Sequence, residues 1–278
     1  QQKQIEQTEK LIDKFRAKAS KATMAQSLIK KLDKIDRIEV DEDDNSVMTL
    51  RFPVSVNPGK VVIEARHVSK SYGDHNVLKN VNLLVERESK IAFVGQNGQG
   101  KTTLAKCIVN EHSYDGSSEF GHNVQLGYFA QNQSELIDGE KSVLQLIEDA
   151  ASDVMRPRVR DLLGSFMFSG EAVDKKVKVL SGGERGRLAL CKLLLDPSNF
   201  LVLDEPTNHL DMRSKEILKE ALRQFDGTMI LVSHDRDFLQ GLSNKVFEFK
   251  DQRVIEHFET IDDFLVRNRI ESLKAIDL

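Results

Sequence analysis

The chain has no tryptophan, only two cysteines and five prolines, and aromatics make up 6% of its residues. Cys107 and Cys191 lie far apart, each in a helix-like apolar pattern, which excludes a disulfide scaffold and suits small core residues in a reduced, cytoplasmic protein. No Cys or His cluster has metal-ligand spacing. No apolar run approaches the ~18 residues of a membrane span, and no signal peptide opens the sequence, so a membrane role is not expected. A hydrophobic share of 40% and a charged share of 30% exclude global disorder. With 278 residues the chain can bury a core in one large domain or two modest ones, and it shows no internal repeat.

Charge is unevenly spread. Residues 1–40 carry ten Lys/Arg against six Asp/Glu, net +4, which leaves net −8 for the remainder. From Lys14 to Lys31 there are six basic residues and no acid. This segment lacks Gly and Pro and has helical periodicity: Ile5, Ile12 and Ala19 step by seven, Phe15, Ala22 and Ile29 run alongside, and Leu32 and Ile35 continue the stripe. Lys14, Lys18 and Lys21 fall on another face. They form either a solvated surface or a contact for a phosphate backbone. A long helix with one apolar stripe needs a partner helix that this chain does not supply. No Met opens it either, so the expectation is a piece of something longer.

The polar break Asp41–Ser46, followed by Pro53 and Pro58-Gly59, sets a boundary: helix at 1–40, connector at 41–60, and a second domain at 61–278. Strands are expected at Val61–Ala65, Val77-Leu78, Val81–Val85, Ile91–Val94 and Val124–Phe129. Residues 132–178 look mainly helical, best at Val143–Ala151 and Val159–Phe168. Phe200–Leu203 and Met229–Val232 are fully apolar, as strands buried on both faces of a parallel sheet must be. Helix Lys215–Phe225 between them makes a βαβ unit. A hairpin over Val246–Phe258 and a helix over Ile261–Leu273 close the chain.

The chemistry gathers at strand ends. After Ile91–Val94 comes Gly95-Gln96-Asn97-Gly98-Gln99-Gly100-Lys101-Thr102, with the spacing G-x-x-x-x-G-K-[ST], opening a helix at Thr103. Glycines let successive backbone N–H groups curl around phosphate oxygens, and the helix dipole adds positive potential. Lys101 would reach the β- and γ-phosphates of ATP, and the Thr102 hydroxyl would ligate Mg²⁺. Asp204, ending the strand Phe200–Leu203, is placed to hold the Mg²⁺ shell, and Glu205 to act as general base on water. His234, after Met229–Val232, would donate a hydrogen bond to the γ-phosphate. Gln131, also at a strand end, can reach Mg²⁺ or that water. Ser181, with Glu184 three residues on, has the pattern of a capping box. Gly182 and Gly183 would expose backbone N–H groups to an anion.

Gly95–Thr102, Leu180–Arg185, Leu203–Asp211 and Ser233–Phe238, in order within residues 61–249, resemble the ATP-binding cassette ATPases. The resemblance implies an α/β P-loop NTPase: a parallel core sheet, an antiparallel β subdomain and a helical subdomain at about 132–180, preceded here by the long basic helix. It makes Gly95–Thr103 the ATP-binding loop, Gln131 the Q-loop glutamine and Ser181–Glu184 the signature motif. Asp204 and Glu205 become the Walker B pair, Asp211 begins the D-loop, and His234 is the switch histidine. Tyr72 would stack on adenine. Such cassettes close in pairs around two ATP molecules, so Ser181 would serve the nucleotide of a second cassette, upstream in the parent chain or in another copy.

Leu203–Asp211, Ser233–Phe238 and Lys14–Ala22 look like the soluble ABC-F branch, the last like its second linker helix. That branch implies action on the ribosome in translation, stalled-ribosome rescue or antibiotic protection. Lys14, Arg16, Lys18 and Lys21 would then meet rRNA and tRNA. One departure is Glu88-Ser89 before the P-loop strand, where the family usually has Gly then Glu. The rival, an ATP-binding subunit of a transporter, shares the nucleotide motifs but leaves residues 1–40 unexplained. A chromosome-associated cassette would be split by its coiled coil, and a non-hydrolysing module would not need Glu205 and His234.

Overall fold

The computed structural model describes residues 56–276 apart from 131, 134–136, 154 and 209, with side chains as far as Arg269. The expected helix over 1–40 with Lys14, Arg16, Lys18 and Lys21, most of the connector, and Gln131 lie outside the described residues.

Two sheets are built from nine described strands: β1 (Val61–Tyr72), β2 (His75–Glu86), β3 (Lys90–Gly95), β4 (Asp115–Phe120), β5 (Leu126–Phe129), β6 (Phe200–Asp204), β7 (Thr228–Val232), β8 (Lys245–Lys250) and β9 (Arg253–His257). The larger runs β5-β6-β7-β3-β8-β9, parallel except for the terminal β8-β9 hairpin. The smaller is antiparallel, ordered β2-β1-β4. The described helices are α1 (Lys101–Ile108), α2 (Val143–Ala150), α3 (Val159–Ser165), α4 (Gly182–Leu195), α5 (Met212–Arg223), α6 (Arg236–Leu239) and α7 (Ile261–Ile276).

Side-chain alternation along the central strands divides the interior. Leu201, Leu203, Met229 and Leu231 face one core with α4, α5 and the residues of α2 and α3. Phe200, Val202, Ile230 and Val232 face the other, with α1 and the inner residues of β1 and β2. With every residue of β6 and β7 buried, the unbroken apolar runs have a physical cause: neither face of these strands meets water.

Several local features differ from expectation. β1 and β2 are each twelve residues long, because pairing carries β1 beyond Ala65 through a stretch without apolar alternation. β4, Asp-Gly-Ser-Ser-Glu-Phe, was not anticipated; it has one large apolar residue and is held by pairing to β1. Between β5 and α4 the described residues include the helices α2 and α3, close to the runs expected at Val143–Ala151 and Val159–Phe168, with short 3-10 turns around Pro157, Gly170 and Val177. At the turn before β3, Glu88 takes the left-handed conformation (φ 67°) that glycine adopts freely. Its N–H donates to Thr228 Oγ1 at 2.9 Å and the Ser89 N–H to Glu86 O at 3.2 Å, so the turn closes without glycine. Cys107 and Cys191 are free and buried.

Candidate active site

The loop between β3 and α1 is shaped by contact as well as by conformation. A Cβ on Gly95 (φ 149°) would lie 2.6 Å from the Phe249 carbonyl oxygen of β8. One on Gly100 (φ 94°) would lie 2.9 Å from the side chains of Val77 and Leu78 on β2. The loop is thus wedged between both sheets, and only glycine fits at its two ends. Lys101 Nζ donates to Gly95 O at 2.8 Å and Gln96 O at 3.0 Å, folding the amine back over the loop. Burial holds its pKa below the usual lysine value, against the pull of Glu205 and Asp204.

Thr102 Oγ1 donates to Asp204 Oδ1 at 2.9 Å, joining the start of α1 to the end of β6. Asp204 Oδ2 and Glu205 Oε1 are both buried without a hydrogen-bond partner among the described residues. Burial raises the pKa of Asp204, opposed by the Thr102 bond and then by Lys106 and Lys101. Burial also raises Glu205, opposed by a bond from the His234 backbone N–H. Unsatisfied carboxylate oxygens beside a hydroxyl make an all-oxygen donor set, and that suits a hard divalent cation such as Mg²⁺. Glu205 leaves the strand at φ 50° and donates its N–H to Val232 O at 2.8 Å, which sets it beside the end of β7. There His234 Nε2 lies 3.6 Å from Glu205 Oε1. Burial, then the Lys101 charge, lowers the His234 pKa, so its imidazole is neutral at pH 7.

A cleft of about 590 Å³ is lined by Asn97, Gly98, Gly100, Lys101, Thr102, Thr103, Glu205 and His234, with Asp204 fully buried behind Thr102 rather than in the lining. His75 and Asn208 line it too and were not singled out from sequence; Asn208 follows the acid pair by three residues, the only hint available. Tyr72 is not part of this lining. It ends β1 with its hydroxyl 3.0 Å from His112 Nδ1 and its ring edge-on to that imidazole, so His75 is the aromatic ring this hairpin brings to the cleft.

The Ser181–Glu184 turn does not line this cleft. It caps α4 reciprocally: Glu184 N donates to Ser181 Oγ at 3.3 Å and Ser181 N to Glu184 Oε2 at 2.7 Å. Those bonds, backbone first, hold the Glu184 carboxyl below its ordinary pKa. Asp211 caps α5 by accepting from Ser214 N at 2.9 Å, and Arg187 of α4 reaches it at 3.1 Å. Burial works against the Asp211 charge, but the Ser214 bonds and Arg187 bring its pKa below the usual range. Arg187 gave no signal in sequence, since a lone arginine on a helix reads as solvated.

A family model described as ABC transporter matches residues 78–208, and a second with the same description matches residues 1–52. The chain is 40% identical to ABC transporter F family member 5 of Arabidopsis thaliana, covering 100% of this chain and 40% of that protein. It is 37% identical to the putative ATP-binding protein YdiF of Bacillus subtilis (99% and 43% covered). Identity to the probable ATP-binding protein YheS of Escherichia coli K12 is 36% (95% and 41%). The chain therefore spans about two fifths of the length of these curated relatives. Among solved structures, an ATP binding subunit of an ABC transporter superposes with a TM-score of 0.61 at 20% identity, over 76% of this chain and 93% of that one. The dimeric post-hydrolysis state of the ATP-binding cassette MJ0796 bound to ADP and Pi superposes at 0.59 and 21% identity, over 70% and 98%. Both share the fold.

Proposed function

Because this chain belongs to the ATP-binding cassette family, we propose that it binds ATP with Mg²⁺ on the Gly95–Thr103 loop and hydrolyses it at a site completed by a second cassette. The observation that carries this reading is the 2.9 Å contact of Thr102 Oγ1 with Asp204 Oδ1, which unites residues 102 apart in sequence beside Glu205 and His234. Thr102, Asp204 and the Gln131 amide would hold Mg²⁺, which when bound supplies neutralising charge at the β- and γ-phosphate oxygens. Lys101 would exchange two neutral carbonyls for anionic phosphate oxygens, a stronger set of bonds for a partly desolvated ammonium. The raised pKa of Glu205 makes it a better base towards water. Neutral His234 would donate from one ring nitrogen to the γ-phosphate. After Ser181, the backbone N–H groups of Gly182 and Gly183 at the start of α4 would serve the partner cassette's nucleotide, in keeping with the turn's place outside this cleft.

The reading extends to an F-type protein working on the ribosome in the cytoplasm. Residues 1–40 serve as linker helix, 41–60 as connector and 61–278 as ATPase domain. The F-family names of the relatives support it, as does the acid-free stretch Lys14–Lys31; Lys14, Arg16, Lys18 and Lys21 would hold rRNA and tRNA through their phosphates. No described helix is long and apolar enough to cross a membrane. In the full-length parent, Glu205→Gln should retain ATP, stall hydrolysis and keep the protein on ribosomes during sedimentation. Replacing Lys14, Lys18 and Lys21 by Glu should weaken that association and flatten its salt dependence. If no ribosome association depends on nucleotide, the ribosomal reading fails; if magnesium adds nothing to ATP affinity, the ATPase reading fails.

A further inference from the structure

Away from the nucleotide cleft the two sheets meet edge to edge. β2 is an edge of the small sheet and β9 an edge of the large one, and Lys79 N donates to Gln252 O at 2.9 Å between them. A groove of about 480 Å³ lies along this junction, lined by Lys79, Asn80, Val81, Asn82, Arg253 and Val254. We propose that this groove binds the sugar–phosphate backbone of RNA, a contact separate from the basic stripe near the start of the chain.

The groove offers donors and almost nothing else. Among the described residues no carboxylate lines it. Lys79 and Arg253 are exposed, and neither has an ion-pair partner among the described residues. The asparagines are oriented by one residue. His67 donates its backbone N–H to Asn82 Oδ1 at 2.9 Å, and its Nδ1 lies 2.7 Å from Asn80 Oδ1. Both amide oxygens are thereby occupied, which leaves the –NH₂ groups for the groove; Asn82 Nδ2 makes one long bond of 3.4 Å to Asn80 O and keeps a second N–H. This arrangement depends on paired irregularities in the hairpin. His67 (φ 53°) and Asn80 (φ 51°) are both left-handed, where the β1-β2 register shifts. Two free cations and two oriented amides match a phosphodiester chain, with the guanidinium fork taking one phosphate bidentately. On a body whose residues 41–278 carry net −8, an acid-free groove singles out a polyanion. The choice of RNA among polyanions rests on the ribosomal reading above.

The test uses the whole 278-residue chain and a labelled single-stranded RNA oligonucleotide, with binding followed by anisotropy across a potassium chloride series. Lys79→Gln with Arg253→Gln removes two phosphate contacts, so the slope of log affinity against log salt should fall by about 1.4, ~0.7 for each. Asn80→Ala with Asn82→Ala should weaken binding while leaving the slope alone, because amides release no counterions. The Lys79/Arg253 variant should keep the wild-type melting temperature and magnesium-ATP affinity; the asparagine variant gives up the bonds to His67 and a favoured left-handed residue, so its melting temperature should fall modestly while its magnesium-ATP affinity stays. Loss of ATP affinity in the wild type alone would sink the nucleotide reading and leave the groove standing. A wild-type salt slope in the Lys79/Arg253 variant overturns the proposal. So does an equal loss of its binding to phosphatidylserine vesicles, which would assign the groove to a lipid headgroup.

Discussion

Asp204→Asn tests the electrostatics of the site without presupposing turnover. In the ligand-free fold Asp204 is fully buried; one oxygen accepts from Thr102 and the other has no partner. Lys101 is turned towards two carbonyls, so no ion pair is broken when the charge is removed. Asparagine can still accept from Thr102 and no longer carries a desolvated charge. The variant should therefore melt at or above the wild-type temperature without ligand. Burial raises the folded-state pKa of Asp204, so its penalty applies above that pKa and is relieved as pH falls through it. The advantage of the variant should accordingly shrink on acidification. With magnesium-ATP the order reverses. At a free ligand concentration 100 times Kd the wild type gains about 2.7 kcal/mol, or about 5–11 °C for a domain of this size. Asp204→Asn should lose the part of that shift which disappears with EDTA. Thermal scans with and without ATP, magnesium and chelator read all these quantities. A ligand-free melting temperature lowered by more than about 4 °C, or a magnesium-dependent shift that survives, would refute the argument.

Gly100→Ala combines a left-handed backbone with 2.9 Å approaches to Val77 and Leu78; a loss of about 2–4 kcal/mol in urea unfolding is expected, together with ATP affinity. Asn199→Ala removes side-chain bonds to Val56 O and Asn123 O, each 2.8 Å, from a fully buried position. A loss of about 2–5 kcal/mol should follow, and one below about 1 would contradict the burial argument. Ser142 of α2 and Ser181 of α4 both form capping boxes, so replacing either by Ala should cost about 1 kcal/mol. Only Ser181→Ala should slow ATP hydrolysis by the paired cassettes proposed above, measured by phosphate release.

Legibility in the sequence followed how local each cause was. β3, β6 and β7 could be read because burial on both faces demands an unbroken apolar run, and the loop after β3 because phosphate contact demands glycines and a lysine at set spacing. Ser181 and Glu184 were readable since a capping box spans four residues. The outer half of β1 and all of β4 were not, since their pairing partners lie far away in sequence and outweigh weak strand propensity. His75 at the cleft gave no signal either, because its place depends on where a hairpin tip lands on another sheet. Asn199 carried no sequence signal, although it holds three segments together.

That last residue shows how the strand bearing the acid pair is held. At its lower end Asn199 bonds to Val56 and Asn123 by its side chain and accepts from Thr228 N by its carbonyl; at its upper end Asp204 meets Thr102 and Glu205 meets Val232. Between lie the buried residues of β6, about 16 Å of chain at ~3.3 Å per residue. A close-packed strand anchored at both ends has little slack, and Glu205 then leaves it with a left-handed backbone. Further along, Thr207 Oγ1 lies 3.5 Å from Ser233 Oγ, and Asp211 caps α5 and is held by Arg187 from the helix that Ser181 opens. The acid pair is therefore tied to the start of α1 through Thr102, to the end of β7 through Val232, and by way of Asp211 and Arg187 to the helix that Ser181 opens.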